Sequence, residues 1–360
     1  MNNIFEFAPK ELVQDAFLCW CFNFKKEDGE EEWNFTKNII QGIYEITGGK
    51  EKLEIENIRI EKQFGNSKID VLLEIKTSNG KINFIFENKL YTSHHSDQLE
   101  RHIETINQEE LEGEKKYIYF KLGYLYKEDT ILPEVYTLLN REDFIKLLEK
   151  NKIDSDIYRM YYNFVKKIDN DEKEIFNLLE KNEKLSEDEK KKVFKGSVGQ
   201  YEILKKIGNE LNIDVKHFHG VSRGGTPWST FDIIKTNHDG VSKTILWRID
   251  SRKGDIPYIS LKYLKECKKN EQDNVFLEDQ RNIFKEIAKG FENLEFDKIN
   301  NGCENHYLRE IGILFFDNGK NTIPNIIKEI PKFTELFVKK VNEENAYYKK
   351  ICVNLRQKRF

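Results

Sequence analysis

Residues 68–89, with the sequence KIDVLLEIKTSNGKINFIFENK, constrain the fold most strongly because two apolar stretches flank an Asn-Gly dipeptide. Asn-Gly is typical of the two-residue turn of a β-hairpin. With Asn79 and Gly80 as the turn, Ser78 faces Lys81, and the other pairs are counted outward from there. A slip of one residue would turn every side chain to the other face, so the apolar pattern predicts a fixed register.

This register predicts which side chains share a face of the hairpin. Asp70 faces Lys89, and Leu72 faces Glu87. Because side chains two residues apart lie on the same face, Asp70, Glu87 and Lys89 all project from one side. The reverse face is predicted to pair Leu73 with Phe86, Ile75 with Phe84, and Thr77 with Ile82. The apolar face thus fixes the geometry of two acids and one amine.

Two neighbouring carboxylates and a lysine predict a particular chemistry. Carboxylates that lie a few ångströms apart repel each other unless a cation sits between them, and hard divalent ions such as Mg²⁺ or Mn²⁺ prefer such oxygen ligands. A nearby lysine can orient a water molecule or offset charge on a phosphoryl oxygen. The set is therefore suited to metal-assisted hydrolysis of a phosphodiester.

These residues resemble the core motif of the PD-(D/E)XK nuclease superfamily. Asp70 is followed by the tripeptide Glu87-Asn88-Lys89 and then by a predicted helix that carries Gln98. The resemblance implies that Asp70 and Glu87 bind the metal ion, that Asn88 lends its backbone carbonyl, and that Lys89 is the catalytic lysine. The alternative is an edge hairpin in which Asp70 and Lys89 form only a surface ion pair, which would add little stability.

Two further positions match residues that some branches of the superfamily use. Glu11, on the first helix, is a candidate metal ligand, although an acid in a first helical turn also suits the helix dipole. Asp15, one turn later, could take its place. Gln98 is a candidate active-site residue or a helix-surface residue. The sequence departs from the family pattern at Ile69, which replaces the proline of the motif, and His102 stands where an aromatic residue is common.

His94 and His95 follow the motif, at the start of the predicted helix that carries Gln98. A histidine at such a place could be proposed as a general base. The metal-assisted site requires no such base, and we therefore predict that both histidines are solvated at the helix start.

The order of elements over residues 1–150 matches the αβββαβ core implied by the resemblance, a restriction-endonuclease-like α/β (α+β) fold with a central mixed sheet flanked by helices. The predicted helices are 9–24, 34–46, 93–107 and 141–150. The predicted strands are 53–63, the two arms of the hairpin, 116–122 and 134–138.

A chain of 360 residues suits more than one domain. We predict a nuclease-like domain at 1–150, a helical linker region at 151–212 and a second α/β domain at 213–360. The last is predicted to contain strands at 213–221, 228–236, 243–250, 256–263 and 309–316, and helices at 279–292 and 324–345.

The second half offers weaker candidates for contacts with nucleic acid. Arg223 lies in the glycine-containing segment 220–230 and could contact a phosphate, but a plain hairpin connection is the favoured interpretation. Trp228 could stack on a base, yet a tryptophan in a strand is more often part of the core. The cations of segment 247–253 are predicted to form a solvated strand end rather than a phosphate-binding strip.

Composition limits the function classes. Charged residues make up 34% of the chain, but the formal net charge is only −4, so no overall basic field marks a nucleic-acid binder. The five cysteines include no CxxC pair, which predicts reduced thiols in the cytoplasm. We see no signal-peptide pattern and no apolar stretch of membrane-spanning length, and so expect no membrane association.

Together these observations predict an Mg²⁺- or Mn²⁺-dependent endonuclease that cleaves nucleic acid, with DNA favoured over RNA. The second domain would serve substrate grip, oligomerisation or regulation through a ligand or partner. By analogy with the superfamily, the protein could act as a homodimer and in restriction or defence against phage. The rival hypothesis is a non-catalytic module that binds nucleic acid or senses a nucleotide on a nuclease-like scaffold.

Overall fold

The structure is a computed structural model, and it describes residues 3–7, 12–94, 97–212, 217–221, 227–238, 241–250, 258–265, 271–291, 294, 296–297, 308–315 and 322–344. The chain divides into two compact units, Met1–Glu172 and Lys173–Phe360. This division differs from the predicted boundaries at 150 and 212, and the roles assigned to the three segments stay predictions. In the described part of the chain, no helix is both long enough and apolar enough to cross a membrane.

A five-stranded mixed sheet forms the centre of the first unit. Its strands follow chain order: β1 (Ile55–Phe64), β2 (Ile69–Thr77), β3 (Gly80–Lys89), β4 (Glu114–Lys121) and β5 (Tyr136–Asn140). Strands β1, β2 and β3 are antiparallel, whereas β4 pairs in parallel with both β3 and β5. The carboxyl ends of β3, β4 and β5 therefore lie at one edge of the sheet, where Lys89 is the register partner of Lys121.

Helices cover both faces of this sheet. They are α1 (Leu12–Phe22), α2 (Glu30–Ile46), α3 (Gln98–Gln108), α4 (Arg141–Lys150) and α5 (Asp156–Leu179). One face packs its apolar side chains, among them Val71 and Phe84, against α1 and α2. The other face packs Leu72 and Ile85 against Leu99 of α3. The predicted fold class, a mixed sheet between helices, is confirmed.

The predicted register of the hairpin is wrong by two residues. Thr77 pairs with Gly80, and Leu73 pairs with Phe84, so the turn residues are Ser78 and Asn79. The Thr77 hydroxyl stabilises this turn, because Oγ1 accepts a hydrogen bond from the Asn79 backbone N and donates one to the Gly80 carbonyl. An even shift leaves every side chain on its predicted face. The last register pair at this end is Val71 with Phe86, so the next position outward places Asp70 opposite Glu87 instead of Lys89.

The second unit contains a six-stranded antiparallel sheet, with the strand order β10-β11-β9-β8-β7-β6 among the described residues. Its strands are β6 (His217–Val221), β7 (Pro227–His238), β8 (Val241–Asp250), β9 (Tyr258–Lys265), β10 (Phe296–Asp297) and β11 (Leu308–Phe315). Its helices are α6 (Glu187–Phe194), α7 (Ser197–Glu210), α8 (Glu271–Ala288) and α9 (Ile323–Glu344). The predicted second α/β region is confirmed, although β10 was not predicted and α8 begins well before residue 279.

Candidate active site

Glu87 and Lys89 project from the carboxyl end of β3. They lie two residues apart in an extended strand and therefore share a face. Glu87 is fully buried and Lys89 is 7% exposed. The Lys89 Nζ lies 2.6 Å from Glu87 Oε1. Burial of a carboxylate is unfavourable without a cation or hydrogen-bond donors nearby, and here the ammonium group offsets the charge of Glu87.

Asp70 brings a second carboxylate to this position from β2. Its Oδ2 accepts a hydrogen bond of 2.7 Å from the backbone N of Asn88, and its Oδ1 accepts one of 3.3 Å from Gln63 Nε2. Asn88 lies between Glu87 and Lys89 in the chain. The Asp70 carboxylate is thus tied to the backbone of the tripeptide that carries the other two charged residues.

Helix α3 contributes His102 and Gln98 on the same side of the sheet. His102 is fully buried, and its Nδ1 lies 3.4 Å from Glu87 Oε2. Burial lowers the pKa of His102 to about 4, and Lys89 adds to this effect, while the Ser67 backbone opposes it. The imidazole is therefore neutral at pH 7. Gln98 begins α3, one turn before His102, and its buried Oε1 has no hydrogen-bond partner among the described residues.

Asn88 and Asp15 lie on the opposite face of the sheet. Because Asn88 alternates with Glu87 and Lys89, its side chain points toward α1, where Nδ2 donates a hydrogen bond of 2.6 Å to Asp15 Oδ1. The structure therefore does not bring Asp15 beside Glu87. Glu11 lies outside the described residues, so its role as a ligand stays a prediction.

The donor set at the end of β3 fits a divalent metal ion. Two carboxylates, one ammonium group and a neutral imidazole leave a net negative charge that a dication would offset. Mg²⁺ is commonly held by one or two carboxylates while it keeps several waters, so Asp70, Glu87 and a backbone carbonyl can suffice. The described residues contain no cluster of three or more His, Cys, Asp or Glu side chains of the kind that forms an all-protein metal cage.

A neighbouring group of charged residues was missed by the sequence reasoning. Lys121, at the end of β4, and Asp129 are both fully buried, and Lys121 Nζ lies 3.1 Å from Asp129 Oδ2. A signal was present, because Lys121 interrupts the apolar run of KYIYFKL. The solvated environment predicted for His94 is wrong: its side chain is half-buried, and Nε2 donates to the Glu128 carbonyl at 3.1 Å. His95 lies outside the described residues.

The candidates of the second unit do not converge on a site among the described residues. Trp228 is half-buried on β7, and the Arg248 guanidinium lies 4.7 Å from its ring centroid. Trp247 belongs to the core, where its Nε1 donates a hydrogen bond to Thr334 Oγ1. Arg223 and residues 251–253 lie outside the described ranges.

Comparison with known proteins gives one match. A family model described as the PD-(D/E)XK nuclease superfamily matches residues 2–285. The match extends beyond the segment 1–150 on which the sequence resemblance rests, and it reaches α8 of the second unit. Searches of curated proteins and of solved structures give no significant match.

Proposed function

The chain belongs to the PD-(D/E)XK nuclease superfamily, and on this premise we propose that it is a metal-dependent endonuclease that hydrolyses phosphodiester bonds. One observation carries the proposal. The hairpin register brings Asp70 opposite Glu87, and Lys89 Nζ lies 2.6 Å from the Glu87 carboxylate. The proposed reaction needs two acids and one amine on a single sheet face.

Each of these residues has a distinct role in the proposal. Asp70, Glu87 and the backbone carbonyl of Asn88 would hold Mg²⁺ or Mn²⁺. The ion, when bound, would supply Lewis-acid polarisation of a phosphoryl oxygen. Lys89 would orient the attacking water and offset the charge that develops on the phosphate. Its small exposed fraction, 9% of the side chain, limits competing bulk water at the ammonium group.

Gln98 would assist Lys89 in orienting the attacking water. Its buried carbonyl oxygen has no hydrogen-bond partner among the described residues and can accept a hydrogen bond from the attacking water. His102 would act through Glu87, because its neutral ring packs against that carboxylate and leaves the negative charge available for a cation.

The finer parts of the proposal depend on the family resemblance. DNA is the preferred substrate over RNA, the protein acts in the cytoplasm, and its pathway is restriction or defence against phage. The second unit would grip the substrate, mediate homodimerisation or bind a regulatory ligand or partner. With a formal net charge of −4, we expect the isolated chain to bind nucleic acid weakly at physiological salt.

A cleavage assay tests the proposal. The purified chain is incubated with plasmid, single-stranded DNA and RNA, in Mg²⁺, Mn²⁺ or EDTA. We expect cleavage of DNA in either metal and none in EDTA. Asp70→Ala should abolish cleavage, because it removes one of the two carboxylates. Glu74→Ala is the matched control, since Glu74 projects from the same face of β2 but pairs with Arg59.

The outcomes separate the two function classes. Cleavage lost in Asp70→Ala and Lys89→Ala but kept in Glu74→Ala supports the enzyme, provided that circular dichroism shows all variants to be folded. Equal cleavage by all variants would point to a contaminating nuclease. Metal-independent binding of nucleic acid without cleavage would instead support the non-catalytic module.

A further inference from the structure

A buried ion pair lies beside the candidate active site. Lys121 ends β4 and is the register partner of Lys89 on β3, so both side chains project from one face of the sheet. Lys121 and Asp129 are both fully buried, with 3.1 Å between Nζ and Oδ2. The Lys121 ammonium also lies 5.4 Å from the centroid of the Tyr126 ring, within the range of a cation–π interaction.

The carboxylate of Asp129 is saturated by further donors. Its Oδ1 accepts a hydrogen bond of 2.5 Å from the Tyr119 hydroxyl, and its Oδ2 accepts one of 3.0 Å from the backbone N of Tyr126. Burial and the nearby carboxylate raise the pKa of Tyr119, so the hydroxyl keeps its proton and acts as the donor. The group therefore satisfies the requirement that a buried charge be paired and hydrogen-bonded.

The same residues also hold the segment that follows β3. Lys121 Nζ donates a hydrogen bond of 2.5 Å to the carbonyl of Thr92. The Tyr119 hydroxyl oxygen accepts one of 3.1 Å from the backbone N of His94. Residues 92–94 lie between Lys89, at the end of β3, and Gln98, at the start of α3. The group thus contacts two residues of the connection between β3 and α3, which carry Glu87, Lys89 and Gln98.

Stability alone does not account for this arrangement. Replacing a buried ion pair with apolar residues of similar volume is often neutral or stabilising, because two charges must be taken out of water. An apolar pair here would keep most of the stability. It would lack the Lys121 donor to the Thr92 carbonyl and the Asp129 acceptor that orients the Tyr119 hydroxyl beside His94. The contacts, rather than the burial, are what the charged pair provides.

We propose that Lys121, Asp129 and Tyr119 form a positioning network that fixes residues 92–94, and thereby holds Gln98 and His102 of α3 in place beside Glu87. None of the three is a catalytic residue in this proposal. The consequence for catalysis rests on the proposed nuclease function, whereas the positioning of residues 92–94 does not.

Tyr119→Phe is the mildest test, because it removes one hydroxyl and keeps the ring. Tyr117→Phe is the matched control, since Tyr117 is buried two residues earlier on the same face of β4. We expect the His94 amide to exchange its hydrogen about tenfold faster in Tyr119→Phe, because the variant lacks the one buried hydrogen bond that this amide donates to the hydroxyl. The kcat for cleavage should fall by a similar factor with KM unchanged. Tyr117→Phe should change neither quantity.

A double variant, Lys121→Met with Asp129→Leu, separates positioning from charge compensation. It removes both buried charges together, so the fold should be kept. We expect this variant, like Tyr119→Phe, to show amide hydrogen exchange at residues 92–94 that is faster than in the wild-type protein, and a lower kcat. Wild-type exchange and wild-type kcat in the double variant, or in Tyr119→Phe, would overturn the proposal. If the wild-type protein cleaves nothing, the proposed function fails, and hydrogen exchange at residues 92–94 still decides the positioning network.

Discussion

Lys89 and Lys121 are partners in the parallel pair of β3 and β4, and each lies beside a buried carboxylate. Asp129, beside Lys121, also accepts hydrogen bonds from a tyrosine hydroxyl and a backbone amide. The side chains of both Lys121 and Asp129 are fully buried. Glu87, beside Lys89, instead faces a neutral histidine and lies opposite a second carboxylate on β2. A lysine–carboxylate pair is thus structural where other protein groups donate hydrogen bonds to the carboxylate, as at Asp129. It is suited to a chemical role where a second carboxylate lies beside it, as at Glu87.

The largest expected effect comes from Lys89→Met. If Lys89 serves the reacting water and phosphate, kcat should fall by about a thousandfold, the upper range for loss of one transition-state donor. The control is Lys81→Met, since Lys81 lies on the same strand, is half exposed and pairs with Glu112 at the far end of β3. Steady-state cleavage of plasmid DNA measures both. If Lys81→Met lost as much activity as Lys89→Met, the effect would not be specific to Lys89, and its proposed role at the reacting water and phosphate would be contradicted.

The complementary change is Lys121→Met, which should lower the stability of the fold in addition to the kcat, whereas Lys89→Met should lower mainly the kcat. It leaves the Asp129 carboxylate buried without its cation, and we expect the free energy of unfolding to fall by about 3 kcal/mol. Urea denaturation followed by circular dichroism measures the change. The second change, Asp129→Leu, should restore most of the lost stability in the double variant. A single variant as stable as the wild-type protein would contradict the structural role of this pair.

The sequence predicted much of the fold because its strongest signals are local. Period-two apolar alternation places Asp70, Glu87 and Lys89 on one face whichever turn forms. The register itself was wrong, because Ser78-Asn79 and Asn79-Gly80 can both form a two-residue loop and the Thr77 hydroxyl favours the first.

The positioning network could not be predicted in the same way. Lys121 interrupts an apolar run in the local sequence, but its burial and its partners depend on contacts that are distant in the chain. Its alignment with Lys89 follows from the parallel pairing of β3 and β4, and its partner Asp129 lies in a short turn after the strand. Such pairing between remote segments leaves no periodic pattern in the sequence.

A smaller effect is expected from Gly123→Ala, which tests the junction between the two lysine strands. A Cβ on Gly123 would collide with the backbone carbonyl of Leu90, the residue directly after Lys89. The backbone has to shift, and we expect a loss of about 2 kcal/mol in the free energy of unfolding. Gly290→Ala is the control, because the added Cβ there meets its nearest neighbour at 3.4 Å, an ordinary contact distance. Equal stability of the two variants would show that the backbone at Gly123 and Leu90 shifts at little cost in free energy.

Gln98→Met should cause the smallest change in stability and, at the same time, a clear loss of activity. The buried Oε1 of Gln98 has no hydrogen-bond partner among the described residues, so an apolar side chain of similar shape should be neutral or stabilising by up to about 0.5 kcal/mol. If Gln98 instead orients the attacking water, its loss should lower kcat about tenfold, the equivalent of one hydrogen bond. Opposite signs for stability and activity would mark a side chain whose polar group serves the reaction rather than the fold. A fall in both would show that the amide has a structural partner, and Gln98 would then belong with Lys121 on the structural side of the comparison.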